Sequence, residues 1–248
     1  MEIWQIIVLA LVGIMAGWLN VMAGGGSLLT VPIMLFMGIP APVANGTNRI
    51  AILAQNITAV STFRSRGFSD FKLSLSLSAA AAAGALAGAS VGVHLAGEWF
   101  DRILAMVMIA VMILMATGQD KVKPVGGQAQ AKNLLLGHIL MVGAGFWGGF
   151  IQIGVGFVLM PILHRVMGLD LVRVNMHKVF VVLVYTIVAL AVFASQLELL
   201  WWTGAGLAVG NSIGGWLGAH TTVTHGETLI RRVLYLALTI FIIKLLFF

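Results

Sequence analysis

The sequence contains no cysteine, which removes disulfides, thiolate metal sites and cysteine nucleophiles at once. Charge is nearly as scarce: 8 acidic and 14 basic side chains in 248 residues. The acids are scattered through loops and helix ends, so no carboxylate pair is placed to coordinate a cation. There is also no long polar region that could fold as a soluble domain. What remains is apolar, 60% of all residues, with a mean hydropathy of +1.05. A soluble chain of this length cannot hide that much apolar surface from water. The sequence is therefore that of an all-α integral membrane protein, since helices satisfy their own backbone groups in lipid. Its partners are the bilayer and a small solute. The net charge of +6 sits in loops, where it reports orientation rather than binding to nucleic acid.

The apolar segments run from Ile3 to about Val21, Ile50 to Phe63, Leu73 to Leu95 and Ile103 to Gly118. After the polar stretch 119–132, which is rich in Gly and Gln, come Asn133 to His164, Val179 to Ala194, Trp201 to His220 and Leu229 to Phe248. Each lies near the ~20 residues that span a bilayer, or is longer and broken by glycine. The first segment has no Lys or Arg before it and has a counterpart later in the chain, so it belongs to the fold rather than to a signal peptide.

The stretch Gly13–Arg49 organises the rest. It opens as an apolar helix, breaks at Gly24-Gly25-Gly26, resumes at Ser27 through Pro32, and ends in the polar run Asn45-Gly46-Thr47-Asn48-Arg49. Each glycine costs a helix interior about 1 kcal/mol relative to alanine. In a membrane such a break opens backbone N–H and C=O groups where they can meet a ligand. The pattern returns: residues 145–161 mirror 13–32, Gly38 and Asn45 recur 130 residues on as Gly168 and Asn175, and Gly84, Gly88, Gly92 and His94 recur 126 residues on as Gly210, Gly214, Gly218 and His220. Gly97-Glu98…Arg102 recurs 129 residues on as Gly226-Glu227…Arg231. The chain is thus one transmembrane domain, with repeat one at 1–118, a hinge-like linker at 119–132 and repeat two at 133–248.

Charge bears on how the repeats are related. If each repeat is a Gly-broken helical hairpin followed by three transmembrane helices, the second is inverted. The loops Arg64–Lys72, Gln119–Lys132, Arg165–Lys178 and the stretch ending at Arg231-Arg232 then share a side, with 11 of the 14 basic residues. A parallel arrangement would divide them. The positive-inside rule favours the inverted one, with both termini outside the cytoplasm. The glycine ladders at 84, 88, 92 and at 206, 210, 214, 218 lie on one stripe each and suit tight helix packing. His94 and His220 suit interfacial hydrogen bonding, with a proton relay as the rival role.

The polar candidates for a site lie beside the breaks. They are Gly24, Gly25, Gly26, Ser27, Asn45, Thr47, Asn48 and Arg49 in the first half, and Gln152, Gly154, Gly156, Asn175, His177 and Lys178 in the second. Asn20, Thr30, Gln55 and Asn56 are further polar residues near the first break. Helix N-termini starting at Gly26 and Gly156 would aim free N–H groups and positive dipole ends at one point. Together with Arg49 and Lys178, they suit an anion. Anchoring to lipid phosphate is the other role open to the two cations.

At these residues the chain resembles the TauE/SafE family of sulfite and organosulfonate exporters. The resemblance rests on Gly13-x-x-x-Gly17, on Gly24-Gly25-Gly26 with Pro32 following, on Ala44–Asn48, and on Gly148-Gly149-Phe150…Gly154-x-Gly156-Phe157…Pro161. It covers nearly the whole chain. It implies secondary transport, in the export direction, of small sulfur-containing anions such as sulfite, sulfoacetate or other sulfonates across the inner membrane, by a multi-pass protein without cofactor or metal. A homodimer is an assembly compatible with it. Val174-Asn175-Met176-His177-Lys178 departs from the AxxTS-like run common in the family. An enzyme is not expected: no His-Glu-x-x-His occurs, and no serine is set up as a nucleophile. A channel, a transporter of another small carboxylate-type anion and a non-transporting membrane partner are the alternatives.

Overall fold

The computed structural model of the chain describes residues 3–117 and 131–222. Among the described residues the regular structure is helical throughout. The order is α1 (Ile3–Ala23), α2 (Ser27–Phe36), α3 (Ala41–Ser65), α4 (Phe71–Gly92), α5 (Glu98–Thr117), α6 (Leu134–Phe150), α7 (Val155–Pro161), α8 (Leu171–Gln196) and α9 (Trp201–Thr222). A π-helical turn, Ile162–Val166, continues α7. Most of the linker and the last apolar segment, with Gly226-Glu227…Arg231, lie outside the described residues. Among the described residues, three helices are long and apolar enough to cross a membrane by length and composition: Trp4–Met22, Phe71–Gly92 and Leu171–Gln196.

Local chemistry explains several boundaries. Asp70 caps α4 by accepting from the Leu73 N–H at 3.2 Å. Asp170 caps α8 through the N–H groups of Val172 and Arg173. Pro40 precedes α3 and Pro42 lies in its first turn, where a missing N–H costs nothing.

Two helices differ from the sequence expectation in a way that matters. The polar runs Asn45–Arg49 and Asn175–Lys178 do not end the hairpins; they are interior turns of α3 and α8. The apolar segments expected from Ile50 and Val179 are therefore only the later parts of two long helices. Helix hydrogen bonding continues through the polar residues because their side chains find partners on other helices instead of competing locally.

The polar side chains of α3 are turned into an interior that is otherwise mostly apolar. Asn45, Thr47, Asn48, Arg49, Gln55 and Asn56 of α3 are all buried, whereas Leu11, Leu75, Ile113, Leu135 and Trp202 face outward. That is the distribution a bilayer demands.

Packing crosses between the two halves of the chain. α1 packs along α9, and α6 packs along α4; α3 lies against α9 and α8, and α8 against α4. The glycine ladders form the seams. A Cβ on Gly84, Gly88 or Gly92 would run into the α6 backbone at Val142, Phe146 or Phe150. One on Gly210, Gly214 or Gly218 would meet the α1 backbone at Ala10, Ile14 or Trp18. The string Gly88-Ala89-Ser90-Val91-Gly92, formally a Gly-x-Ser-x-Gly match, sits on this seam; Ser90 donates to Leu86 O of its own helix at 2.9 Å. His94 bonds Ser90 O in the same way, and His220 contacts the Arg66 guanidinium.

Candidate functional site

The two breaks touch. Gly24 follows α1 with φ of +79°, a conformation that favours glycine. A Cβ on Gly24 would overlap the backbone of Gly156, and a Cβ on Gly156 would overlap Gly24. On the second side Gly154 has φ of +70° and Gln152, a non-glycine residue, has φ of +63°. Such a backbone costs of order 1 kcal/mol or more and persists only where its surroundings impose it.

At this crossing lies a cavity of about 10 Å³, room for about one water molecule. Both breaks contribute to its wall: Asn20, Gly24 and Ser27 from the first, Gln152, Val155 and Gly156 from the second. Ile52 and Asn56 of α3 and Lys178, Val179, Val182 and Tyr185 of α8 complete it.

Two buried cations hold the adjoining helix ends. The last carbonyls of a helix lack intrahelical donors and carry the negative end of its dipole. Lys178 of α8 donates to Val21 O at 2.6 Å and Asn20 O at 3.3 Å, in the last turn of α1. Arg49 of α3 donates to Gly148 O at 2.9 Å and Gly149 O at 2.5 Å, in the last turn of α6. Asn45 adds a bond to Phe150 O at 2.9 Å and accepts from Arg49. The Arg49 guanidinium also lies 4.5 Å from the centre of the Phe193 ring. Its polar contacts are to neutral oxygens, and Arg49 belongs to none of the ion pairs among the described residues. Each half thus caps the first helix of the other with a cation from its own long helix.

The residues singled out from sequence divide accordingly. Gly24, Ser27, Gln152, Gly156 and Lys178 line the cavity. Asn48 stands behind Ser27, donating to its Oγ at 3.1 Å while accepting from Thr30 at 2.7 Å. Asn45 and Arg49 serve the end of α6, and Thr47 accepts from the Leu200 N–H at 3.2 Å. None of these three lines the cavity. Gly25 is likewise off the cavity wall, and Gly26 lies against Ala16 and Asn20 within its own hairpin. Gly154 is the cap of α7, whose first residue is Val155 rather than Gly156; α2 begins at Ser27, with Gly26 as its cap. Asn175 is buried, its Oδ1 without a partner.

His177 turns the other way. Its Nδ1 pairs with Ser74 Oγ of α4 at 2.8 Å. It belongs to the wall of a hollow of about 910 Å³ bounded by the α3–α4 loop and the starts of α4 and α8, with Asp70, Lys72 and Arg173 on its rim. Met176 and His177 border this hollow, and the next two residues, Lys178 and Val179, border the cavity.

Sequence reasoning missed Tyr185. Its stretch, Val181–Leu190, is otherwise an apolar run with a single threonine, so an aromatic there reads as core. The signal available was spacing: Lys178, Val182 and Tyr185 stand at i, i+4 and i+7, one stripe of α8.

Similarity to known proteins agrees with this architecture. The sequence pattern of the family described as "Sulfite exporter TauE/SafE" matches residues 9–245. A Haemophilus influenzae protein named "Probable membrane transporter protein" is 27% identical over 229 residues, covering 90% of this chain and 88% of its own. "Probable membrane transporter protein ORF9" of Sinorhizobium sp is 25% identical over 231 residues, covering 93% and 88%. "Probable membrane transporter protein YfcA" of Escherichia coli K12 is 25% identical over 249 residues, covering 97% and 89%. No solved structure matches the chain.

Proposed function

Because the chain belongs to the sulfite exporter TauE/SafE family, a family of membrane transporters rather than enzymes, we propose that it exports small sulfur-containing anions such as sulfite, sulfoacetate or other sulfonates across the inner membrane. The observation that carries this reading is the cavity at the crossing of the two breaks, walled by Gly24, Gly156 and the buried ammonium of Lys178. A lysine with its ammonium at membrane depth favours an anionic occupant. The first-turn amides of α2 start within one residue of the cavity wall and add the positive end of a helix dipole. At about 10 Å³ the cavity has room for about one water and none for a sulfonate, so carriage requires the breaks to part. The hollow with Lys72 and Arg173 on its rim is the access on the basic side, one turn of α8 away from Lys178.

The architecture that supports this is two inverted repeats, 1–118 and 133–248, joined by the linker, with multiple crossings. Reciprocal packing of α1 on α9 and of α6 on α4 is what such a pair of repeats produces. The decisive experiment is counterflow in proteoliposomes, with thermal shift of the purified protein alongside. Sulfite and sulfoacetate should stabilise the protein and exchange, while acetate and sulfate should do so weakly. Stabilisation by simple carboxylates alone would reject the sulfur-anion reading.

A further inference from the structure

Four consecutive residues of α8 separate two spaces. Met176 and His177 border the large hollow, and Lys178 and Val179 border the cavity. Of the two on the hollow side, His177 is the one that titrates, and its side chain is buried in the wall. Its Nδ1 meets the Ser74 hydroxyl of α4 at 2.8 Å. A hydroxyl both donates and accepts, so a neutral ring and a protonated ring can each keep this contact. Charged and titratable groups reach this region from every element packed around it. Asp70 and Lys72 stand at the start of α4, Asp170 and Arg173 at the start of α8, and Arg64 at the end of α3. The turn after α7 carries His164 and Arg165, and Lys132 precedes α6. His164 pairs its Nδ1 with Leu169 O at 2.7 Å.

Histidine is the side chain whose ordinary chemistry changes its charge near neutral pH. A charge gained one residue from Lys178 acts on an anion held at the cavity, because charges interact strongly where water is excluded. The first half has no such group. Thr47, the counterpart 130 residues earlier, accepts the Leu200 N–H and has no charge to change. From this juxtaposition we propose that His177 is a proton-binding site that regulates the anion site. A proton taken from the hollow tightens anion binding at the cavity. The ring borders the hollow and is not part of the cavity wall, so the proton enters and leaves on one side. It sets how readily the carrier loads from the basic side and does not travel with the anion. Linkage is reciprocal, so a bound anion raises the proton affinity of His177 by the same factor. The inference rests on the anion reading above and adds its regulation.

Methanesulfonate is the probe, because it stays fully ionised across the histidine range and any pH dependence then belongs to the protein. Calorimetry on the purified protein should show binding about fivefold or more tighter at about pH 5 than at about pH 8, the low end of ordinary coupling between sites. Binding should also take up protons, read as a heat that changes with the ionisation enthalpy of the buffer. His177→Asn, whose amide stands in for Nδ1 beside Ser74, should bind with one affinity across the range. Ser74→Ala keeps the imidazole and loses the contact, and should remain pH-dependent, as should His164→Gln. An affinity independent of pH, without proton uptake, in the unsubstituted protein would overturn the inference and leave the anion site standing. So would a dependence that survives His177→Asn, or one that disappears in Ser74→Ala or His164→Gln. Failure of methanesulfonate to bind at any pH would overturn the anion reading and this inference with it. Thermal unfolding of each variant without ligand separates loss of linkage from loss of fold, and His177→Gln repeats the test where His177→Asn does not fold.

Discussion

Arg49 and Lys178 occupy matching places and do matching work, yet they differ in what lies beside them. Each comes from a long helix of one half and caps the carbonyl end of the first helix of the other. Arg49 is enclosed by two carbonyls, Asn45 and the Phe193 ring, and has no access to the cavity. Lys178 makes its carbonyl bonds from the cavity wall itself. The same electrostatic device therefore bolts one hairpin and leaves the other within reach of a ligand. A pair of buried cations is not by itself a pair of anion ligands; the neighbours decide.

The strongest way to break the comparison is at the crossing that both halves share. Gly156→Leu places a side chain in the backbone of Gly24 and should abolish counterflow in proteoliposomes while the protein still inserts. Gly143→Ala, where a Cβ meets nothing within 4 Å, is the control and should transport normally. Equal flux from both would mean that the crossing is dispensable.

Arg49→Ala comes next, as a stability effect. It strips the donors from two buried carbonyls, a loss of about 2–6 kcal/mol at about 1–3 kcal/mol for each buried group. Thermal unfolding should show it plainly, and Arg49→Lys should recover part, since an ammonium can serve one carbonyl but lacks the fork. If Arg49→Ala unfolds like the parent and loses only anion affinity, the two cations have exchanged roles.

Lys178→Met sharpens the contrast from the other side. It should lower anion affinity about 10- to 100-fold, as expected for a hydrogen bond to a charged group. Its unfolding temperature should fall less than that of Arg49→Ala. The measurement is a ligand-induced thermal shift in detergent, where a lipid anchor has no lipid to bind.

The smallest functional effect belongs to the topology. Single cysteines introduced at Arg66 and Arg173 should be labelled from the same side and at Glu98 from the other. Labelling of positions 66 and 173 from opposite sides would end the inverted comparison altogether.

Part of this was legible in the sequence because glycine and charge are conspicuous in an apolar chain. The breaks, the ladders and the two buried cations could all be found from spacing. The helical state of Asn45–Arg49 could not. A polar run reads as a loop until the partners of its side chains, Phe150 O, Gly148 O and Leu200 N, are known, and those are far away in sequence. Tyr185 was hidden for the opposite reason. Its surroundings in sequence are apolar, and only the fold brings its ring against Gly148 of α6 and onto the cavity wall. The division of labour between Arg49 and Lys178 depends on neighbours in the same way.

The crossed packing of the helices also sets a timetable for making the protein. α1 rests on α9, which is not synthesised until Trp201 leaves the ribosome. At ordinary elongation rates that is a wait of roughly 10–40 s. Throughout it the glycine-bearing face of α1 has no permanent neighbour, and a chain cut at the linker would never supply one. Each half produced alone should be degraded, and the two halves produced together should rescue each other, because α1, α3 and α4 are each completed by a helix of the second half.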